Sequence, residues 1–292
     1  MSARSLLFVP GDSDRKLAKS ESSKADILIL DLEDAVMASE KAAARGRVHE
    51  FLTTHSERAT MQLWVRINPL DTADALLDLA AIVGAKPDGI VQPKTRSPDD
   101  VVQLGYYLDA FEASHGLAPG EIQILPVATE TAEAMFSLGG FARCGARLYG
   151  MTWGAEDLSA ALGATANKES TGAWTSPFQI ARSLCLFGAR AAGVPAIDTV
   201  FVDIRDTTGL RAVCIEGRRD GFTGKIAIHP DQVAVINECF VPSGAELAHA
   251  ARVIALFKDH PGVAALSLDG KMVDIPHLRQ AEKVLARVRI EP

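Results

Sequence analysis

The chain has 292 residues, is 48% hydrophobic and 23% charged, and carries a formal charge of −7. Such values are ordinary for a globular protein, and with no basic stripe they exclude nucleic acid as the main partner. No apolar run approaches the roughly 18 residues of a membrane span, and four cysteines with no CxxC pair exclude a disulfide scaffold and predict reduced thiols in a cytoplasmic protein.

The opening Ser5-Leu-Leu-Phe-Val-Pro10 is too short an apolar stretch for a signal peptide and predicts a first strand over 4–9. Seven further runs rich in Val, Ile and Leu lie near 26–31, 62–67, 89–93, 122–128, 147–152, 199–204 and 225–229. Most are uninterrupted, as expected of parallel strands buried on both faces. Helical patterns separate them: Val48, Phe51 and Leu52 share one face, as do Leu76, Leu79, Ala80 and Val83, and Val101, Leu104, Leu108 and Phe111. Ser13, Ser39 and Asp71 are expected N-caps. The poorly patterned 163–177 predicts a long loop on the catalytic face.

Eight strand–helix alternations predict an α/β fold, a (β/α)8 TIM barrel over 1–240, which typically takes about 250 residues. A C-terminal helical and hairpin extension, 241–292, follows. Ser243 and Glu246 form a capping box, and a helix with stripe Leu247, Ala250, Ile254 and Phe257 comes after it. Asp269-Gly270 signals a hairpin. Pro276 opens a last helix with stripe Leu278, Ala281, Leu285 and Val288. The extension is expected to act as a lid.

Charged residues gather where the strands end: Asp31, Glu33 and Asp34, then Arg66, Lys94, Glu130, Asp157 and His229. In an α/β barrel that face carries the active site. Glu130 and Asp157 follow strands five and six, and position alone leaves two readings, ligands of a hard ion such as Mg²⁺ or helix N-caps. No HExxH motif supplies a competing zinc site. Arg66 is placed either to grip a carboxylate and an enolate or to pair with the Asp31-Leu-Glu-Asp34 segment, and both can hold together. At least one of Asp31, Glu33 and Asp34 is expected to support the metal or Arg66, and one to cap the next helix. Lys94 is read as an electrostatic lysine, since nearby acids would keep it protonated and unfit for Schiff-base chemistry. The basic residues Arg15, Lys16 and Lys19 follow the Val9-Pro-Gly-Asp12 turn, either as a phosphate site or as a solvated face.

Taken together, Phe8-Val-Pro-Gly11, Asp31-Leu-Glu-Asp34, Val65-Arg-Ile-Asn68, Gln92-Pro-Lys94, Glu130-Thr-Ala132, Gly154-Ala-Glu-Asp-Leu158, Gly224-Lys-Ile-Ala-Ile-His-Pro230 and Gly270-Lys-Met-Val-Asp-Ile-Pro276 resemble the citrate lyase β-subunit-like branch of the HpcH/HpaI aldolase superfamily. Malyl-CoA and citramalyl-CoA lyases belong to the same group. The resemblance implies a Mg²⁺-dependent carbon–carbon lyase acting on a 3-hydroxyacyl-CoA thioester and giving acetyl-CoA and a 2-oxo acid. It makes Glu130 and Asp157 the metal ligands, with the oxo acid chelating the ion, and gives Arg66 the oxo acid and the enolate. Asp274, in Met272-Val-Asp-Ile-Pro276, inherits the role of a base acting on a neighbouring subunit's site; capping of the last helix is the plainer alternative. Flanking by Met272 and Ile275 predicts that Asp274 is covered and its pKa raised. Arg15 and Lys19 would meet the coenzyme phosphates, and His229 the adenine end. A homotrimer or hexamer is implied. Two other activities stay open: a malate-synthase-like or thioesterase reaction, and membership of a citrate lyase complex acting on a carrier-bound thioester.

Overall fold

The computed structural model describes residues 2–55 and 58–287. Its central feature is an eight-stranded sheet in which consecutive strands run parallel. The strands are β1 (Ser5–Pro10), β2 (Ile27–Asp31), β3 (Gln62–Arg66), β4 (Gly89–Gln92), β5 (Gln123–Pro126), β6 (Met151–Thr152), β7 (Ala196–Asp198) and β8 (Gly224–Ala227). Their order, β5-β4-β3-β2-β1-β8-β7-β6, follows the chain around a circle. The two ends meet where Tyr149 N–H donates to the Ile124 carbonyl (2.9 Å) and Ala128 N–H to that of Thr152 (2.8 Å). The sheet is therefore a nearly closed barrel, the expected architecture.

Helices α1 (Asp14–Ser20), α2 (Lys41–Thr54), α3 (Ala73–Ile82), α4 (Pro98–Ser114), α5 (Glu156–Leu162), α6 (Ser176–Ala191), α7 (Thr207–Asp220) and α8 (Pro230–Cys239) supply the crossovers. Between β5 and β6 the expected α-helix is replaced by 3₁₀ turns at Glu133–Phe136 and Leu138–Arg147. Gly139 and Gly140 weaken helix there, and Gly145, at φ 72°, breaks it.

Other boundaries also moved. The seventh strand lies at 196–198 and not at 199–204: Val202 and Ile204 are exposed, so that apolar run is loop. Ser13 caps α1, but Ser39 sits in a 3₁₀ turn ahead of α2, and Thr72, not Asp71, holds the N-cap position of α3. On α3 the buried face is Ala75, Asp78, Leu79 and Ile82, which leaves Leu76 exposed. Asp78 turns the helix this way. Its carboxylate accepts from Arg45 Nε (2.7 Å) and from the backbone and side-chain nitrogens of Asn68 (2.7 Å each), bonds strong enough to bury a charge. Residues 163–175 form the loop between α5 and α6, two residues shorter than the expected 163–177, and a bridge between Lys168 and Trp174 pins it. All four cysteines are free.

Beneath the strand ends the barrel is apolar, with Leu6, Ile27, Ile29, Trp64, Val91, Leu125, Ile197 and Ile226 in one cluster. Trp64 fills the space because Gly89 on the adjacent strand has no side chain; a Cβ there would lie 2.5 Å from the indole.

The chain divides into two compact units, residues 2–237 and the segment from Glu238 onward. The second holds α9 (Gly244–Asp259), an antiparallel hairpin of β9 (Ala265–Leu268) and β10 (Lys271–Asp274), and α10 (Ile275–Leu285). The Ser243–Glu246 capping box is present, and Asp269 and Gly270 take the positive φ values, 52° and 76°, of a type I′ turn. Ala250, Val253, Phe257, Val273 and Ala281 form this unit's own core, with Leu278 and Leu285 packed against it. Val288 lies outside the described residues.

Gly89→Ala is expected to destabilise the protein by about 1–3 kcal/mol, the usual cost of overpacking. Urea denaturation monitored by circular dichroism checks this; an unchanged midpoint would mean that Trp64 moves aside freely.

Candidate active site

The sequence places charge at the ends of strands, and the barrel brings those ends together. β2 ends on Asp31 and β3 on Arg66, paired in register across the sheet. Arg66 forks onto Asp31 through Nε–Oδ1 (2.7 Å) and Nη2–Oδ2 (2.6 Å), and Glu33 Oε2 lies 2.8 Å from Nη1. The Phe8 ring stacks against the guanidinium, 4.5 Å from Cζ. The Asp31 oxygens also accept from the backbone N–H groups of Glu33 (3.0 Å) and Ala35 (3.1 Å). That turn folds Leu32-Glu-Asp34 back over the barrel, so all three acids serve one side although strand alternation alone would separate them. Burial works against the Arg66 charge, but the Asp31 bonds and the Glu33 and Glu130 charges override it and push its pKa up. Its two fork hydrogens go to Asp31 and Nη1 faces Glu33, leaving one hydrogen on Nη1 and one on Nη2 clear of these carboxylates.

Lys94 stands two residues past β4. Its ammonium pairs with Glu33, with Asp34 Oδ2 (3.1 Å) and with Asp157 Oδ1 (3.3 Å). Burial favours the neutral amine, yet the Glu33 bond and the surrounding carboxylates raise the pKa, so Lys94 is a fixed cation and not a Schiff-base former. Its backbone is left-handed, φ 48°, and its N–H donates to Glu130 Oε2, 2.6 Å away. Glu33 is almost fully buried, and desolvation raises its pKa although Arg66 and Lys94 oppose it. Asp34, more open, is lowered: burial opposes ionisation there, but the Lys94 bond and charge prevail.

Glu130 is buried, and burial followed by the Asp157 charge pushes its pKa up to about 8. Room for its side chain comes from Gly154, where a Cβ would fall 2.8 Å from Glu130 Cγ and 3.0 Å from Oε1. Asp157, in the first turn of α5, is one-third exposed. Neither carboxylate acts as a helix N-cap: Ala155 occupies that position in α5, and Glu130 accepts from Lys94. Two hard oxygen donors repel each other here, and Glu130 Oε1 keeps no protein hydrogen bond among the described residues. Among those residues no cluster of three or more His, Cys, Asp and Glu could hold a metal. Two carboxylates supply hard oxygen donors, the type that fits a divalent ion completing its shell from water and ligand oxygens.

Arg15, Lys19 and His229 line one cavity of about 460 Å³, together with Phe8, Pro10 and Pro230. Phe8 thus touches both this cavity and Arg66. Asp274 departs from expectation. It is the N-cap residue of α10, its Oδ1 lies 2.5 Å from His277 Nδ1, and that bond lowers its pKa. Met272 is exposed beside it, so within one chain the aspartate is neither covered nor raised. Phe8 and Gly154 were not singled out as site residues. Gly154, next to an acidic pair at a strand end, was the readable signal; Phe8 opens the Phe8-Val-Pro-Gly11 motif, but nothing in that motif signals contact with Arg66.

A parallel barrel that gathers two hard-ion carboxylates beside a buried arginine defines a metal-assisted enzyme of the aldolase kind. The sequence profile of HpcH/HpaI aldolase/citrate lyase matches residues 4–230. A (3S)-malyl-CoA thioesterase of Cereibacter sphaeroides is 36% identical, over 97% of this chain and 94% of its own. The mitochondrial citramalyl-CoA lyase of Rattus norvegicus is 33% identical, over 97% and 85%. Among solved structures, the CitE protein of Mycobacterium tuberculosis in complex with magnesium, acetoacetate and coenzyme A superposes with a TM-score of 0.81 at 34% identity, over 98% of each chain. The chain belongs to the HpcH/HpaI aldolase/citrate lyase family, and it is a carbon–carbon lyase by class. Among the described residues no helix is long and apolar enough to cross a membrane.

The Glu130 shift has a consequence for the metal-free protein. The unfolded chain releases this proton near the ordinary 4.5, whereas the fold holds it to about 8. The group's contribution to stability is therefore intact below 4.5 and is lost as pH rises to about 8. Glu130→Gln should remove this slope and stabilise the metal-free protein at neutral pH. Urea melts in EDTA across that range test it, and identical slopes for both proteins would show that Glu130 titrates as an ordinary carboxylate.

Proposed function

We propose that this chain is a Mg²⁺-dependent lyase that cleaves, or forms, the carbon–carbon bond of a malyl-, citramalyl- or citryl-type CoA thioester, with acetyl-CoA and a 2-oxo acid as the other side of the reaction. One observation carries the reading. Glu130, Asp157 and Arg66 meet over one barrel mouth, and Phe8 links that mouth to a cavity lined by cations. Glu130 and Asp157 would hold the ion, which when bound polarises the oxygens of the oxo acid. The magnesium, acetoacetate and coenzyme A bound to the Mycobacterium tuberculosis relative support the same assignment here.

Cleavage removes the hydroxyl proton, breaks the bond between the two carbon centres, and leaves the electron pair on the thioester as an enolate. Arg66 supplies the hydrogens clear of Asp31 and Glu33 to the oxo-acid carboxylate and the enolate oxygen, the charges that grow during the reaction. Asp31 and Glu33 keep the guanidinium from swinging away, and Lys94 holds Glu33 and Asp157 in place. Arg15 and Lys19 pair with coenzyme phosphates, and His229 sits at the adenine end. Asp274 of a neighbouring copy takes the hydroxyl proton, in a homotrimer or hexamer. Four free cysteines support a reducing, cytoplasmic setting.

A second reading adds hydrolysis of the thioester, which the 36% identity to a malyl-CoA thioesterase favours. Incubation with Mg²⁺, a panel of acyl-CoAs and 2-oxo acids, and mass analysis separates them. Acetyl-CoA with a 2-oxo acid supports the lyase; free CoA with an intact hydroxy acid supports the thioesterase. Turnover of carrier-bound thioesters alone would indicate a citrate lyase complex subunit.

Arg66→Lys is expected to reduce kcat by about 10²–10³-fold, since lysine keeps the charge but not the planar fork. Near-normal turnover would reduce Arg66 to a screening charge. Mixing Asp274→Ala with Arg66→Ala chains should restore part of the activity that each lacks. No recovery despite demonstrated subunit exchange would place Asp274 outside its neighbour's site.

A further inference from the structure

A second cavity, of about 380 Å³, lies between the outer face of the barrel and the helices around it. It is lined by Asp198 at the end of β7, Lys225 in β8, Arg182 on α6, and Lys168 and Trp174 from the loop after α5. Strand alternation turns Asp198 and Lys225 away from the barrel interior. A Cβ on Gly217 of α7 would lie 3.0 Å from Asp198 Oδ2, which confirms that the carboxylate faces the helices. None of the groups assigned to the lyase chemistry lines this space.

Its hydrogen-bond accounting is lopsided. Asp198 is well supplied: Oδ1 accepts from Trp153 Nε1 (2.7 Å) and from Thr199 N–H (3.0 Å), and Oδ2 from Lys225 Nζ (3.3 Å). The cations are not. The Lys225 side chain is only 3% exposed, yet its ammonium makes that single long bond and keeps two hydrogens without a protein acceptor among the described residues. Arg182 commits one of five donors, to Asp220 Oδ2 at 2.8 Å, and stands off at 3.7 Å from Asp198 and 3.9 Å from Glu216. Lys168 has no carboxylate partner among the described residues; its ammonium lies over Trp174 (4.5 Å) and Phe201 (5.5 Å). Sheltered donors such as those of Lys225 are costly to leave without acceptors. Of the two acids that line the cavity Asp198 is engaged and Glu216 is half-exposed, 3.9 Å from Arg182, whereas three positive groups have donors to spare for an anion.

We propose that this cavity binds a small anion bearing a carboxylate or phosphate group, gripped by Lys225, Arg182 and Lys168. Its size is within the range of sites for small organic ligands, and Trp174 and Phe201 offer an apolar wall to the body of such a molecule. The site adjoins the mouth through one side chain. Trp153 donates to Asp198, packs edge-on against Trp174 with ring centroids 5.0 Å apart, and is followed in the chain by Gly154, against which Glu130 rests. Two of the three tryptophans therefore report on the cavity.

The test is a tryptophan-fluorescence titration of the full-length protein in EDTA, with inorganic phosphate, succinate and uncharged succinamide as probes. Saturable change with phosphate, succinate or both, and none with succinamide, is expected; which anion responds identifies the headgroup chemistry. Lys168→Met, a half-exposed position that should not disturb folding, is expected to weaken binding about tenfold, the loss of one charge-assisted hydrogen bond. Lys225→Met should weaken it further, with circular dichroism confirming the fold. Arg15→Ala, at the other cationic cavity, should leave it unchanged. Absence of a saturable response to either anion, equal response to succinamide, or full binding by Lys168→Met and Lys225→Met would overturn the proposal.

Discussion

The site hangs on a chain of alternating charges laid across the barrel mouth: Asp31, Arg66, Glu33, Lys94 and Asp157. Each link joins residues carried by different strands or by the turns that follow them. The apolar plug of Trp64, Val91, Leu125 and their neighbours lies underneath, so the charges act over a floor of low polarity where Coulomb interactions are strong. Removal of one member would leave a buried neighbour without its counter-charge, which is far costlier than losing an exposed ion pair. Each link positions its neighbours, and fixed charges are what stabilising a developing enolate requires.

Glu130 stands apart from this chain. Its contacts are a backbone N–H, a glycine and another carboxylate, so no side-chain cation bonds it directly, and the Lys94 and Arg66 charges act on it only through space. Arg66 and Lys94 are tied to other acids. Glu130 is thus left short of positive charge while the arginine is held nearby, the separation that the proposed metal and oxo-acid roles call for.

Much of the fold was legible because parallel strands buried on both faces leave uninterrupted apolar runs, and the strand-end charges then mark the mouth. Errors arose where apolar residues do something other than pack. Val202 and Ile204 mimicked a strand while lying exposed in a loop, and Leu76 was displaced from the buried face of α3 by the demands of Asp78. The charged members of the site were visible as residue types, but their pairing was not. Glu33 reaches Arg66 only because Asp31 bends the following turn, a local geometry with no periodic signature. Asp274 shows the reverse limit: its helix cap could be read from sequence, whereas a role in another subunit depends on assembly.

Lys94 answers two incompatible demands at once. Its left-handed backbone suits glycine, and a lysine there is strained by roughly 1–2 kcal/mol. Glycine would relax the turn and keep the N–H on Glu130, but it would delete the ammonium that ties Glu33, Asp34 and Asp157 together. Against the strain that glycine would relieve stands the loss of one of the two counter-charges of the buried Glu33, a cost of the same order or larger. In engineering terms, position 94 is where the conformational preference of the backbone and the charge balance of the mouth pull in opposite directions.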